Sequence, residues 1–325
     1  MRIKSNIILK NNKNFRKKDI HTNRYFELVE KEHLLFKKKF GNSQKIITSK
    51  KFIRINNCCV CKSKKYKSFV IKFGFQYVKC LSCGHIYLRN QIKNEILLDL
   101  YSNSKTDKVS RERKKFSELQ LYWQKIYFKY SNILFSLCPK GKLLDIGCGD
   151  GAFLEFMKIN FNYELYGTEY SKDTKKKLKK LLGKNFFYRK EIEDLKIKKN
   201  FFNLVSLIGV LEHLSDPNKL FKTLSRYIKK NGFIFILIPN LDSYSFSILK
   251  EKTPTLNPRA HLNFFTRKSL GKLIKRFNFK ITHKYQELPV IDLVHKKKKI
   301  NDKIIEKIIK NDKCYYHIYL LQKNK

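Results

Sequence analysis

With 325 residues, 42% of them apolar and 14% aromatic, the chain can build a full α/β domain and a small companion, which excludes disorder throughout. No apolar run reaches the roughly 18–20 residues that cross a bilayer, and the basic, asparagine-rich start lacks the apolar core of a signal peptide. The net charge of +45 points to anionic partners, yet lysine outnumbers arginine about five to one along the whole chain; general lysine enrichment and a polyanion-binding surface both remain open.

Residues 1–57 read as a basic extension, with one amphipathic helix suggested by Tyr25, Leu28, Val29, Glu32 and Leu35 and closed at Phe40–Gly41. Residues 58–100 read as a metal ribbon. Cys58-x-x-Cys61 and Cys80-x-x-Cys83 have 18 residues between the pairs, the spacing of two knuckles gripping one tetrahedral zinc. Four thiolates leave no open position on the metal, so its expected role is structural. Cys59 and His85 stand close enough in sequence to compete as ligands. A cytoplasmic protein without membrane insertion is expected, and in that reducing compartment metal ligation outranks disulfides as a use for cysteine. Cys138, Cys148 and Cys314 lie apart and read as small packing residues.

Residues 101–325 read as an α/β domain with a helical lead-in over 111–138, where Phe116, Leu119, Trp123, Ile126, Tyr127, Tyr130, Leu134 and Leu137 form one apolar stripe. Tyr122, Trp123 and Tyr130 read as core or lid residues. Strands are predicted near 142–146, 163–168, 185–189, 202–208, 232–238, 279–285 and 314–322. Helices are predicted near 151–159, 171–182, 217–230, 267–277 and 301–310. The alternation implies a doubly wound, mostly parallel sheet covered on both faces. Ser171, Asp216 before Pro217, and Thr266 are the expected helix caps.

The stretch Leu143–Ala152 runs a strand into Asp145 and then into three alternate glycines, Gly147, Gly149 and Gly151. Glycine suits a tight turn on which a ligand lies close to the backbone. Gly147, Gly149 and Ala152 also satisfy the looser dinucleotide pattern, so the loop alone does not exclude a nicotinamide enzyme. Three further segments follow in order. Glu169 ends the next strand in Tyr166-Gly167-Thr168-Glu169, then comes Glu191-Ile192-Glu193-Asp194-Leu195, and then Phe201 to Leu214 with its Leu211-Glu212-His213 turn.

Together these segments resemble the class I S-adenosylmethionine-dependent methyltransferases, with a Rossmann-like seven-stranded sheet whose last strand is inserted antiparallel. The resemblance implies that Asp145 and the loop at Gly147, Gly149 and Gly151 meet the methionine half of the cofactor. It implies that Glu169 accepts from the ribose hydroxyls. Glu191 and Ile192 would meet the adenine, with Glu193 and Asp194 as rivals. Asn203 stands where the family usually has Asp, at the far end of its strand. A nicotinamide enzyme would have no use for the Leu-Glu-His turn.

His213 reads either as a base for the acceptor or as a wall of its pocket, with Glu212 orienting it or binding acceptor hydroxyls. His261, in a segment resembling the family's H-x-x-x-F-T, reads either as facing the acceptor or as a loop anchor. The cysteine knuckles followed by Gly84-His85-Ile86-Tyr87-Leu88 resemble the zinc ribbon joined to methyltransferases of sugar and surface-polysaccharide pathways. That likeness implies methyl transfer to a small-molecule acceptor, a sugar or nucleotide-sugar. Methylation of an RNA base is the alternative that the charge would assist.

Overall fold

The structure, a computed structural model, describes residues 52–93, 117–253, 255–288 and 301–324, and a few positions before them. Glu27, Lys31, Leu34, Leu35 and Lys38 are helical; the rest of the helix expected in the extension, like Phe116 and the side chain of Tyr122, lies outside the described residues.

The main sheet has seven strands: β6 (Gly141–Ile146), β7 (Tyr163–Glu169), β8 (Phe186–Tyr188), β9 (Phe202–Ile208), β10 (Ile228–Pro239), β12 (Phe279–Glu287) and β13 (Tyr316–Lys323). Their order is β12-β13-β10-β9-β6-β7-β8. The pairs from β10 through β8 are parallel, whereas β13 runs antiparallel to both β10 and β12. Strand order reverses between β6 and β9, and the crevice beyond the carboxyl ends at such a switch point is where open α/β sheets bind ligands.

Alternation along each strand supplies both faces. Leu143, Leu204, Phe235 and Leu320 pack with α1 (Ser117–Leu137), α2 (Ala152–Asn160) and α3 (Lys175–Leu182). Their neighbours Leu144, Val205, Ile234 and Leu321 pack with α4 (Pro217–Tyr227) and α6 (Arg267–Lys275). Ile126, Tyr130 and Leu134 of the predicted stripe are the buried face of α1.

Two helix boundaries differ from expectation. Helix α3 starts at Lys175 behind Thr174, not behind Ser171. The amides of Tyr170 and Ser171 both donate to Glu169 Oε1, at 2.7 and 2.8 Å, so the chain first wraps that carboxylate. Helix α4 ends at Tyr227 because β10 begins at Ile228. Its start is as predicted, with Asp216 accepting from the amides of Asn218 and Lys219 ahead of Pro217. Thr266 caps α6 in a reciprocal box with Ser269. A short helix α5 (Tyr244–Leu249), capped by Ser243, was not anticipated, and α7 (Asp302–Lys310) precedes β13.

The cysteine-bearing segment forms β1 (Phe52–Arg54), β2 (Tyr66–Lys72), β3 (Phe75–Cys80), β4 (Ile86–Leu88) and β5 (Asn90–Ile92). Strands β2, β3 and β4 make an antiparallel sheet completed by β11 (Asn263–Phe264), a strand from the far side of the main sheet in sequence. Its buried Cys58, Val60, Val78 and Tyr87 belong to the same apolar cluster as Leu144 and Phe265.

Candidate active site

The glycine loop follows β6 directly. Gly147 and Gly149 have φ of +65° and +59°, the left-handed region that suits glycine. A Cβ on Gly147 would meet Val210 Cγ2 at 2.9 Å, so the loop abuts the turn after β9. A Cβ on Gly149 would meet nothing within 4 Å. Glycine there keeps clear a space that the protein does not fill, which is what a ligand lying on the backbone needs.

Three bonds tie the loop to the end of β7: Gly147 N to Thr168 Oγ1 (3.2 Å), Cys148 N to Thr168 O (3.0 Å) and Gly149 N to Glu169 Oε2 (2.7 Å). Glu169 thus stands beside the loop, with lone pairs that a ribose diol could address. Tyr170 OH donates to Glu191, and Ile192, buried, opens the 3₁₀ turn Ile192–Asp194. Glu193 faces Lys219 at 3.6 Å. Asp145 lies deep at the end of β6. It is 3% exposed, accepts from Ser206 Oγ at 2.6 Å, and burial pushes its pKa up to about 7.

The turn after β9 is a 3₁₀ element, Leu211–His213. Glu212 is 3% exposed, its Oε2 has no hydrogen-bond partner among the described residues, and burial lifts its pKa to about 8. Burial thus favours its neutral form. Its Oε1 lies 3.9 Å from His213 Nε2. The rings of His213 and His261 meet edge-on, with centroids 4.9 Å apart. His261 Nδ1 lies 2.6 Å from the carbonyl of Thr255. A carbonyl only accepts, so Nδ1 carries a hydrogen. One ligand-capable atom from each of Glu212, His213 and His261 fits within 4.8 Å of the others. The structure thus brings the three predicted acceptor-side residues together, beside the glycine loop.

Thr255 and Tyr315, close by, carried no sequence signal for a place at the site. Thr255 holds His261 and donates to Tyr315 OH at 2.6 Å; Tyr315 packs on Tyr316, which faces Trp123. Their roles depend on where the chain folds back, not on residue pattern.

The second grouping is Cys58, Cys61, Cys80 and Cys83, whose sulfurs all lie within 4.8 Å of one another. Cys58 and Cys83 Sγ are 3.6 Å apart, and Cys61 and Cys80 Sγ are 3.4 Å apart. A tetrahedron with metal–sulfur bonds of about 2.3 Å has edges of about 3.8 Å, so this donor set fits zinc. The two rival ligands lie outside that grouping: Cys59 Sγ lies 3.4 Å from His85 Nε2, and that nitrogen is 3.0 Å from Asn263 Oδ1.

Residues 117–284 match the family described as a methyltransferase domain. An uncharacterized protein of Methanocaldococcus jannaschii is 29% identical over 143 residues, covering 44% of this chain and 66% of its own length. A ubiquinone biosynthesis O-methyltransferase of Pelagibacter ubique is 33% identical over 113 residues, 33% of this chain and 47% of its own. The chain thus spans 47% to 66% of the length of these relatives. A solved S-adenosylmethionine-dependent methyltransferase from Archaeoglobus fulgidus aligns with 21% identity and a TM-score of 0.44 over 62% of this chain and 94% of that one. By the match that runs from α1 through the glycine loop into β12, the chain belongs to the methyltransferase-domain family.

Proposed function

We propose that the chain transfers the methyl group of S-adenosylmethionine to a small-molecule acceptor, a sugar or nucleotide-sugar, seated against Glu212, His213 and His261. The observation that carries this reading is the contact between Gly147 and Val210, which puts the cofactor loop against the turn bearing Glu212 and His213. When bound, the cofactor supplies an already activated methyl group, so the protein's task is alignment. Asp145, Gly147, Gly149 and Gly151 would receive its amino-acid end, Glu169 its ribose, and Glu191 and Ile192 its adenine.

Where the acceptor must lose a proton, His213 takes it. The side chain is 34% exposed, so the proton can pass on to solvent. In the neutral form that burial favours, Glu212 offers both a donor and an acceptor to a neighbouring hydroxyl. The relatives described as ubiquinone biosynthesis O-methyltransferases support a small molecule as acceptor. The fit of the four sulfurs supports a structural zinc on Cys58, Cys61, Cys80 and Cys83, as in the sugar-pathway enzymes that the ribbon resembles.

A second reading is favoured by the 4.8 Å grouping of Glu212, His213 and His261 with the orphaned Glu212 oxygen: a divalent cation held there would grip acceptor oxygens directly. Added magnesium or manganese would raise turnover on this reading and leave it unchanged on the first.

The test is a screen with methyl-labelled cofactor against nucleotide-sugar fractions and, separately, undermodified RNA. Label in the small-molecule fraction, with weak dependence on salt, is expected. Label in RNA, with binding that falls steeply in log salt, would replace the acceptor by a polyanion. Absence of affinity for the cofactor and its demethylated product would end the reading.

A further inference from the structure

We infer that the cysteine-bearing sheet is a positioning element for the reaction site, and that Tyr77 is its positioning residue, acting through His261. The inference rests on the proposed role of the His213–His261 pair. What points to it is the path of residues 261–264, which run between the two parts of the molecule and bond to both.

On one side, Leu262 N donates to Glu212 O at 2.7 Å, and Asn263 Nδ2 donates to Leu214 O at 2.6 Å. These bonds fix the segment to the turn that carries Glu212 and His213. On the other side, Leu88 N donates to Leu262 O at 2.8 Å, and Asn263 and Phe264 pair with Tyr87 and Ile86 as the fourth strand of the cysteine-bearing sheet. Tyr77 OH reaches across from β3 to donate to the carbonyl of His261 itself, at 2.9 Å. The Tyr77 ring packs on Phe264, and Phe264 in turn faces the His261 ring.

Tyr77 is completely buried, and its hydroxyl is spent on this one backbone carbonyl. A tyrosine that only filled the core could be phenylalanine. The hydroxyl fixes the peptide from which the His261 ring departs, and that ring must reach both Thr255 O and the edge of His213. Leu262 links the backbones of Glu212 and Leu88 through its own amide and carbonyl, so a shift of β4 moves the 212 turn as well as His261.

The metal ligands govern β4. Cys80 ends β3, the strand that carries Tyr77, and Cys83 lies three residues before β4. Between them Gly84 N donates to Cys80 O at 3.0 Å and Cys80 N to His85 O at 2.8 Å. A metal on the four sulfurs holds this turn closed; without it β3 and β4 lose their fixed register, and His261 loses its frame. The sheet therefore sets the acceptor-side geometry through residues 261–264.

The experiment is histidine-ring NMR on the zinc-loaded full chain, wild type and Tyr77→Phe. It reads the exchange of the His261 Nδ1 hydrogen with solvent and the cross-relaxation between the His213 and His261 rings. Metal content and affinity for S-adenosylhomocysteine are measured on the same samples. Tyr77→Phe is expected to keep its zinc and its affinity, while the His261 hydrogen exchanges at least about tenfold faster and the ring contact weakens. Withdrawing zinc from the wild type should abolish both His261 signatures, and restoring zinc should restore them. Unchanged exchange and ring contact in Tyr77→Phe would overturn the inference, as would their persistence in metal-free protein. Should the variant fail to hold zinc, the withdrawal and restoration series on the wild type decides by itself. Loss of wild-type affinity for S-adenosylhomocysteine would sink the methyl-transfer reading and leave this coupling standing.

Discussion

Replacing Glu212 by glutamine tests whether the turn after β9 holds a buried neutral acid. Glu212 is 3% exposed, and burial raises its pKa from 4.5 to about 8. An acid with a higher pKa folded than unfolded binds its proton more tightly in the native state. Its contribution to stability is complete below about pH 4.5 and is lost as pH rises through about 8. Within that window each pH unit removes about 1.4 kcal/mol, so between about pH 5.5 and pH 7.5 Glu212 alone withdraws about 2–3 kcal/mol. Glutamine mimics the neutral acid in shape but cannot ionise. Urea unfolding of wild type and Glu212→Gln at the two pH values should show the variant gaining about that much on the wild type at the higher pH. Asp145, pushed up to about 7, bends both curves the same way, so the difference between proteins isolates Glu212. Parallel stability–pH curves would refute the argument and mean that Glu212 is ionised in the folded protein near neutral pH.

Glu169→Gln should weaken S-adenosylhomocysteine binding by about 1.5–3 kcal/mol, roughly 10- to 100-fold in Kd by calorimetry, because a charged acceptor beside Gly149 becomes neutral. The two loop glycines should separate stability from binding. Gly147→Ala drives a methyl to 2.9 Å from Val210 Cγ2 at a φ of +65°, and should lower unfolding stability by about 1–3 kcal/mol. Gly149→Ala meets no protein atom within 4 Å, so its main effect should be on cofactor affinity, which titration calorimetry beside thermal unfolding would show. Native mass spectrometry should find a single zinc per chain, absent after Cys61→Ser combined with Cys80→Ser, with a lower melting temperature in the variant.

Much of this architecture was legible because it is periodic. Leu143 and Leu144 face opposite sides of the sheet, as do Leu204 and Val205, and strands that bury both faces read as short apolar runs. Helix α4 announced its own start, since Asp216 and Pro217 act locally on the next few amides. Ser171 misled for the same reason. It is a good cap by type, but the amides of Tyr170 and Ser171 turn back to Glu169, and the helix starts only at Lys175 behind Thr174. On the cofactor side, the spacing from the glycine loop to Glu169 was visible, whereas the depth of Asp145 was not, because depth depends on Ser206 in a strand that pairs with β6 from the other direction. Least legible was β11. Two residues have no period, and Asn263 and Phe264 form a strand only because Tyr87 and Ile86 present an edge to them. His261 could be noted from its motif, but the direction of its ring depended on that edge. The ring meets His213 while its carbonyl accepts from Tyr77. A cysteine module recognised by spacing thus reaches the turn of Glu212 and His213, and His261, through main-chain bonds, which residue identity encodes only weakly.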